Sequence, residues 1–192
     1  MSVKMEVLEI LGIIVIVLVV LYFLMIMPRI LHKPDTSYFY NWRYAHRGLH
    51  DNQSEAPENS LAAFRKAVEA GFGIELDIQL SKDRIPVVFH DFTLKRVCGA
   101  PGKVCDYTYE ELQKFSLCGS GQKIPTLEEV LKLVDGKVPL IVEFKIERTN
   151  LSLCPVADKL LRAYRGAYCM ESFNPLGVRW YKKNHPELVR GQ

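Results

Sequence analysis

The sequence lacks any lysine- or arginine-rich patch with aromatic residues set between its cations, and 25 Lys and Arg against 22 Asp and Glu leave a formal net charge of only +3. A nucleic-acid partner is therefore not expected, because binding a phosphate backbone needs a concentrated basic surface. Internal repeats and low-complexity segments are absent too. With 48% hydrophobic and 24% charged residues, the composition excludes a disordered chain. Its five cysteines (Cys98, Cys105, Cys118, Cys154 and Cys169) are odd in number and lack the paired short spacing of a zinc finger. Cys98 and Cys105 flank a turn with Gly99, Pro101 and Gly102, so a hairpin disulfide or a metal site is conceivable. Free thiols in a reducing compartment are the simpler expectation.

What is present begins with one long apolar run. Ile10 to Met27 holds eighteen residues without a charge. At about 1.5 Å per residue such a helix nearly spans a hydrocarbon core of ~30 Å. A cleaved signal peptide would have a shorter apolar region ending in small residues, whereas this run ends Met25-Ile26-Met27-Pro28-Arg29. Residues 1–30 are therefore expected to be an uncleaved anchor that meets the membrane through residues 7–27. Arg29 and Lys33 follow the run and only Lys4 precedes it, which places the rest of a single-pass protein on the cytoplasmic side of the cell membrane. Residues 31–41 read as a linker, and residues 42–192 as the main domain. Tyr38, Phe39, Tyr40, Trp42 and Tyr44 suit either a membrane interface or packing beneath that domain.

The chemistry is concentrated between Ala45 and Asp91. Glu75 and Asp77 stand two apart in the apolar run Gly73 to Leu80. Residues i and i+2 of a strand share a face, so the run aims two carboxylates at one point. Such a pair repels unless something positive lies between, and an all-oxygen donor set favours a hard divalent cation, magnesium or calcium, over zinc. His46 ends an earlier short strand (Trp42 to His46) and is followed by Arg47-Gly48. His90 ends a later one (Val87 to His90) and is followed by Asp91. Leu140 to Lys145 repeats the pattern, with Glu143 and Lys145 on one face. Polar groups thus gather at the carboxyl ends of successive apolar strands, where a barrel of alternating strands and helices carries its active site.

In order and spacing, HRG (46–48), PEN (57–59), ExD (75–77), HD (90–91) and ExK (143–145) resemble the glycerophosphodiester phosphodiesterase family, of the membrane-anchored bacterial kind. The resemblance runs from about Arg43 to Gln192. It implies an α/β fold, a (β/α) barrel of the TIM type, preceded by one transmembrane helix. It also implies metal-dependent hydrolysis of a glycerophosphodiester to glycerol 3-phosphate and an alcohol. His46 and His90 would be the acid–base pair, in either order, since imidazole suits both tasks. Glu75, Asp77 and Glu143 would hold the cation, Mg2+ or Ca2+. Arg47 would grip phosphate oxygens as a planar fork and Lys145 would add a point charge. Glu58, Asn59 and Asp91 would support them. Glu58 is expected to orient a histidine or touch the metal, Asn59 to assist or simply cap a helix, and Asp91 to fix the His90 loop. An ion pair with a neighbouring acid is the plainer reading of Lys145. Glu171, Ser172 and Phe173 are candidates for the pocket wall. Two other readings stay open: a phospholipase acting on intact membrane lipids, and a binding module with an inactive site.

The remaining chain alternates strands and helices. A helix is expected over Ser60 to Ala70, with Leu61, Phe64, Ala67 and Val68 on one face. Capping boxes stand at Thr108-x-x-Glu111 and Thr126-x-x-Glu129. A helix follows over Pro155 to Arg165, a strand over Ala167 to Phe173, a helix from Asn174-Pro175 to about Asn184, and a strand from Leu188. That makes about six of the eight strands of a complete barrel, which typically takes ~250 residues. The sequence is therefore expected to be a fragment of an incomplete barrel.

Overall fold

The computed structural model of the chain describes residues 3–26 and 33–191. Arg29, on which the expected orientation turns, lies outside the described residues, as do the junction of anchor and linker (27–32) and Gln192. The chain divides into two compact units, Met1–Pro34 and Asp35–Gln192.

The first unit is one helix, α1 (Val3–Ile26). Its Glu6–Leu24 segment has a mean hydropathy of 3.1, and none of it is buried. A helix apolar on every side has no solvent-facing stripe. By length and composition it is able to cross a membrane, a property that a signal sequence shares.

In the second unit a short helix, α2 (Ser37–Tyr40), leads into β1 (Tyr44–His46). Next comes α3 (Leu61–Glu69), capped by Ser60, whose hydroxyl accepts from the Ala63 N–H. The strands β2 (Gly73–Leu80) and β3 (Pro86–Val88) form a hairpin. Two single-turn helices, α4 (Lys95–Cys98) and α5 (Tyr109–Leu112), precede α6 (Leu127–Val134). Both expected capping boxes form, at Thr108–Glu111 and Thr126–Glu129. The order then runs β4 (Leu140–Phe144), α7 (Leu153–Ala163), β5 (Tyr168–Glu171), α8 (Pro175–Asn184) and β6 (Arg190–Gly191).

The sheet order is β1-β2-β4-β5-β6, every neighbouring pair parallel, with β3 antiparallel on β2. Parallel neighbours joined through helices give the strand order of a (β/α) barrel. Among the described residues the sheet is open, because β1 pairs only with β2 and β6 only with β5. The main core lies between sheet and helices. There Ile74, Leu76 and Ile78 of β2 meet Phe64 and Ala67 of α3 and Val130 of α6, all buried. Each large side chain so buried contributes roughly 1.5–3 kcal/mol. The same alternation turns Glu75, Asp77 and Gln79 to the opposite face.

One strand differs from expectation. Among the described residues six strands are present, but β3 is not a stave of the parallel series, and His90 lies two residues beyond its end. The cause is the tight turn Ser81–Arg84, where the Ser81 hydroxyl donates to Asp83 Oδ1 at 2.6 Å and Arg84 takes a φ of 65°. So short a link can join only antiparallel neighbours. The segment after β3 builds a second, smaller apolar cluster that includes Leu94, Val97, Leu112 and Ile124. All five cysteines are free.

Candidate active site

Strand register assembles the site. His46 pairs with Glu75 across β1 and β2, and Asp77 pairs with Glu143, which pairs with Glu171, across β2, β4 and β5. Aligned partners on parallel strands point to the same face, so four carboxylates form a patch at the strand ends. Carboxylate oxygens of Glu75, Asp77 and Glu143, all buried, lie within 4.8 Å of one another. Lys145 stands among them, its Nζ donating to Glu143 Oε1 at 2.7 Å and lying 3.1 Å from Asp77 Oδ1. Asn59 Nδ2 donates to Asp77 Oδ2 at 2.9 Å.

Local backbone conformation brings the HRG segment onto this patch. Arg47 and Gly48 have φ of 57° and 83°. In that left-handed turn the Arg47 backbone N–H donates to Glu75 Oε2 at 3.0 Å. A Cβ on Gly48 would come within 2.9 Å of the Ala63 Cβ, so the turn sits tight on α3. The Arg47 side chain crosses the patch, with Nε 3.5 Å from Asp77 Oδ2 and Nη1 donating to Glu58 Oε1 at 3.0 Å. His46 is exposed, with Nε2 3.8 Å from Glu75 Oε2. Room for the neighbouring Tyr44 ring comes from Gly73 opposite, where a Cβ would lie 2.6 Å from the ring.

The patch carries excess negative charge. Burial, then repulsion from Asp77, pushes Glu75 up to about 8, against the pull of the Arg47 N–H. Glu143 is raised by burial despite Lys145, and Glu171 by burial and then by Glu143 and Asp77. Burial, reinforced by the Arg47 charge, lowers His46. Buried Asn59 Oδ1 accepts no hydrogen bond, and Asp77 Oδ1 has no aligned donor beyond the Lys145 ammonium at 3.1 Å. An all-oxygen, buried, under-neutralised donor set fits a hard divalent cation.

A second network holds His90. Its Nδ1 lies 2.6 Å from Asp91 Oδ1, and because a carboxylate accepts, that nitrogen carries the proton. The Arg96 guanidinium, against burial and with help from His90, holds Asp91 down at about 2. Burial alone would raise Glu58, but Arg96, Asn52 and Arg47 hold it down at about 2. Gln79 Nε2 donates to the carbonyls of Phe89 and Asp91, both at 2.8 Å, and so clamps the His90 loop to β2.

Glu75, Asp77, Glu143 and Lys145 thus converge as the sequence suggests, and Arg47 joins them. Asn59 does not cap α3, since Ser60 does; its side chain binds Asp77 instead. Glu58 neither orients a histidine nor joins the carboxylate patch. Its oxygens are taken by Arg47, Arg96 and Asn52, because burial of a carboxylate requires such donors. Lys145 makes the ion pair its plainer reading foresaw. Ser172 is buried and donates to the Phe144 carbonyl at 2.7 Å. Phe173 is exposed and, with Phe92, Phe144 and Ile146, lines a cleft of about 350 Å³ beside Glu143 and Lys145. Sequence reasoning missed Gln79 and Arg96. Gln79 continues the i, i+2 series of Glu75 and Asp77 and was open to the same reasoning; Arg96 gives no such signal.

Comparison with known proteins identifies the family and the fold. The family model of the glycerophosphoryl diester phosphodiesterase family matches residues 46–169. A glycerophosphodiester phosphodiesterase of Caldanaerobacter subterraneus subsp. tengcongensis is 38% identical over 160 residues, which cover 77% of this chain and 64% of that protein. Human glycerophosphodiester phosphodiesterase 1 is 41% identical over 96 residues, 45% of this chain and 28% of that one. Among solved structures, a phosphodiesterase of Oleispira antarctica in complex with the product sn-glycerol-3-phosphate superposes with a TM-score of 0.71. It is 28% identical, over 80% of this chain and 67% of that one. Glycerophosphodiester phosphodiesterase of Thermotoga maritima gives a TM-score of 0.63 at 32% identity, over 77% and 59% of the two chains. This chain therefore spans just under two thirds of the length of the Caldanaerobacter relative.

Proposed function

The chain belongs to the glycerophosphoryl diester phosphodiesterase family, and on that premise we propose that it hydrolyses glycerophosphodiesters to glycerol 3-phosphate and an alcohol with a bound divalent cation. The observation that carries this reading is the buried cluster of Glu75, Asp77 and Glu143 oxygens, within 4.8 Å of one another.

Glu75, Asp77 and Glu143 are the residues that would hold Mg2+ or Ca2+. When bound, such a cation neutralises phosphate charge and orients the phosphate. The Arg47 fork, held by Glu58, and the Lys145 ammonium offer donors to phosphate oxygens at the edge of the patch. His46 and His90 divide the proton work. One takes the proton of the attacking hydroxyl and the other gives a proton to the leaving alkoxide. If water attacks, glycerol 3-phosphate forms directly; if the substrate's own glycerol hydroxyl attacks, a cyclic phosphate forms and water then opens it to the same product. With Nδ1–H committed to Asp91, His90 exchanges its proton at Nε2. Asn59 steadies Asp77, and Asp91 fixes the His90 tautomer.

In the same reading, residues 1–30 anchor the protein in a membrane, 31–41 link, and 42–192 form the catalytic domain on the cytoplasmic side. The apolar Glu6–Leu24 segment supports the anchor. A second reading, an intact lipid as substrate, draws on the cleft walled by Phe92, Phe144, Ile146 and Phe173, which suits an apolar leaving group.

The test is glycerol 3-phosphate release from glycerophosphocholine and glycerophosphoethanolamine, with Mg2+, with Ca2+ and with chelator. Release that needs the cation is expected. Release undiminished by chelator contradicts the metal assignment, and no release under any condition contradicts the hydrolase reading.

A further inference from the structure

Arg96 takes no part in the carboxylate patch, yet it touches both groups that flank it. Its Nε donates to Asp91 Oδ2 at 2.7 Å and its Nη2 to Asp91 Oδ1 at 2.9 Å. Its Nη1 donates to Glu58 Oε2 at 2.8 Å, and Nη2 also to Glu58 Oε1 at 2.7 Å. Asp91 in turn binds His90 Nδ1, and Glu58 binds Arg47 Nη1. We propose that Arg96 is the positioning residue of the site, one guanidinium that fixes the proton-bearing nitrogen of His90 through Asp91 and the phosphate fork of Arg47 through Glu58. The proposal rests on the hydrolase reading above.

Three features separate this from an ordinary surface ion pair. First, the contact is bidentate on both sides, and only a planar fork with five N–H donors is able to meet two carboxylates in this way; an ammonium is not. Second, the Glu58 side chain is only 4% exposed, so its charge depends on its partners, whereas exposed pairs contribute little. Third, Arg96 is delivered by structure and not by a free side chain. It lies on α4, between Leu94 and Val97, which are buried in the smaller apolar cluster. Gly99, with a φ of 63°, ends that helix. The segment after β3 thereby acquires a task, which is to bring one guanidinium to the rim of the parallel sheet.

The consequence for catalysis is specific. An ionised Asp91 held on two sides keeps His90 as the Nδ1–H tautomer, with Nε2 bare for proton exchange. A Glu58 held by Arg96 keeps Arg47 extended over the patch. Loss of Arg96 therefore affects turnover through His90 and substrate affinity through Arg47.

The experiment uses the full chain, wild type, Arg96→Ala and Arg96→Lys, with glycerophosphocholine and Mg2+. Melting temperature is recorded for each, with 15N spectra of the histidine rings and rates with and without millimolar guanidinium ion. In Arg96→Ala, kcat/KM is expected to fall by roughly 10- to 100-fold, the range for partners that orient site residues, with kcat lower and KM higher. Guanidinium is expected to restore part of that rate, and the His90 ring to become a mixture of tautomers. Arg96→Lys should fold and yet remain impaired. Wild-type kinetics in Arg96→Lys, or an unchanged His90 tautomer without rescue in Arg96→Ala, overturns the proposal. If the wild-type chain releases no product, the hydrolase reading fails instead, and the 15N spectra alone decide the link: mixed tautomers uphold it and an unchanged ring refutes it.

Discussion

Arg47 donates its backbone N–H to Glu75 Oε2 at 3.0 Å from a left-handed conformation, φ 57°. Two sequence motifs, 28 positions apart, are thereby locked through a main-chain group, and the Arg47 side chain remains free to cross the patch. Such backbone conformations cost about 1–3 kcal/mol for a non-glycine residue and persist where the surroundings enforce them.

Gly48 is one of those enforcers. Gly48→Ala puts a Cβ within 2.9 Å of Ala63 at a φ of 83°. Destabilisation of about 1–3 kcal/mol is expected, with a fall in activity because Arg47 is displaced. Urea denaturation and turnover measured together check this; an unchanged midpoint would show that the turn has room.

Glu75→Gln removes one charged oxygen donor from the carboxylate patch. Apparent affinity for Mg2+ or Ca2+ should weaken by roughly tenfold or more, about 1.4 kcal/mol. Titration calorimetry reads it directly. Binding equal to wild type would exclude Glu75 as a ligand.

Gln79→Ala frees the Phe89 and Asp91 carbonyls that hold the His90 loop. Each lost hydrogen bond costs about 0.5–1.5 kcal/mol. Turnover should drop while KM changes little, because the loop carries His90 and not Arg47. A change in KM alone would contradict that separation.

Acid stability follows from Glu58 and Asp91. Both are held down at about 2, below their ordinary values of 4.5 and 3.8. A depressed folded-state pKa means that the unfolded chain binds protons first. Their contribution is therefore complete above about pH 5 and is lost as pH falls towards 2, on the order of a few kcal/mol for the pair. Denaturation midpoints measured from pH 6 to pH 2.5 should fall steeply in wild type and less steeply in Arg96→Ala. Equal slopes would mean that Arg96 does not hold these carboxylates.

The carboxylate patch was legible in sequence because strand period two places Glu75 and Asp77 together, and the strand end at Glu143 repeats the device. The helices were legible from capping boxes and from Asn174-Pro175. The placement of His90 was legible only in part. Val87 and its neighbours read as one more stave, but the five-residue link before β3 forces a hairpin. Arg96 was not legible at all. It lies 38 residues from Glu58, and nothing in the exposed Lys95-Arg96 pair distinguishes it from a solvated surface. Its place depends on how the smaller apolar cluster packs, which is a property of the folded chain.

The central claim is the division of proton transfer between His46 and His90, and turnover of His46→Ala and His90→Ala tests it most directly. Both variants should keep the wild-type melting temperature and metal affinity and lose about 10²- to 10⁴-fold in kcat, as expected when a general acid or base is removed. Wild-type turnover in either variant would contradict the assignment of that histidine.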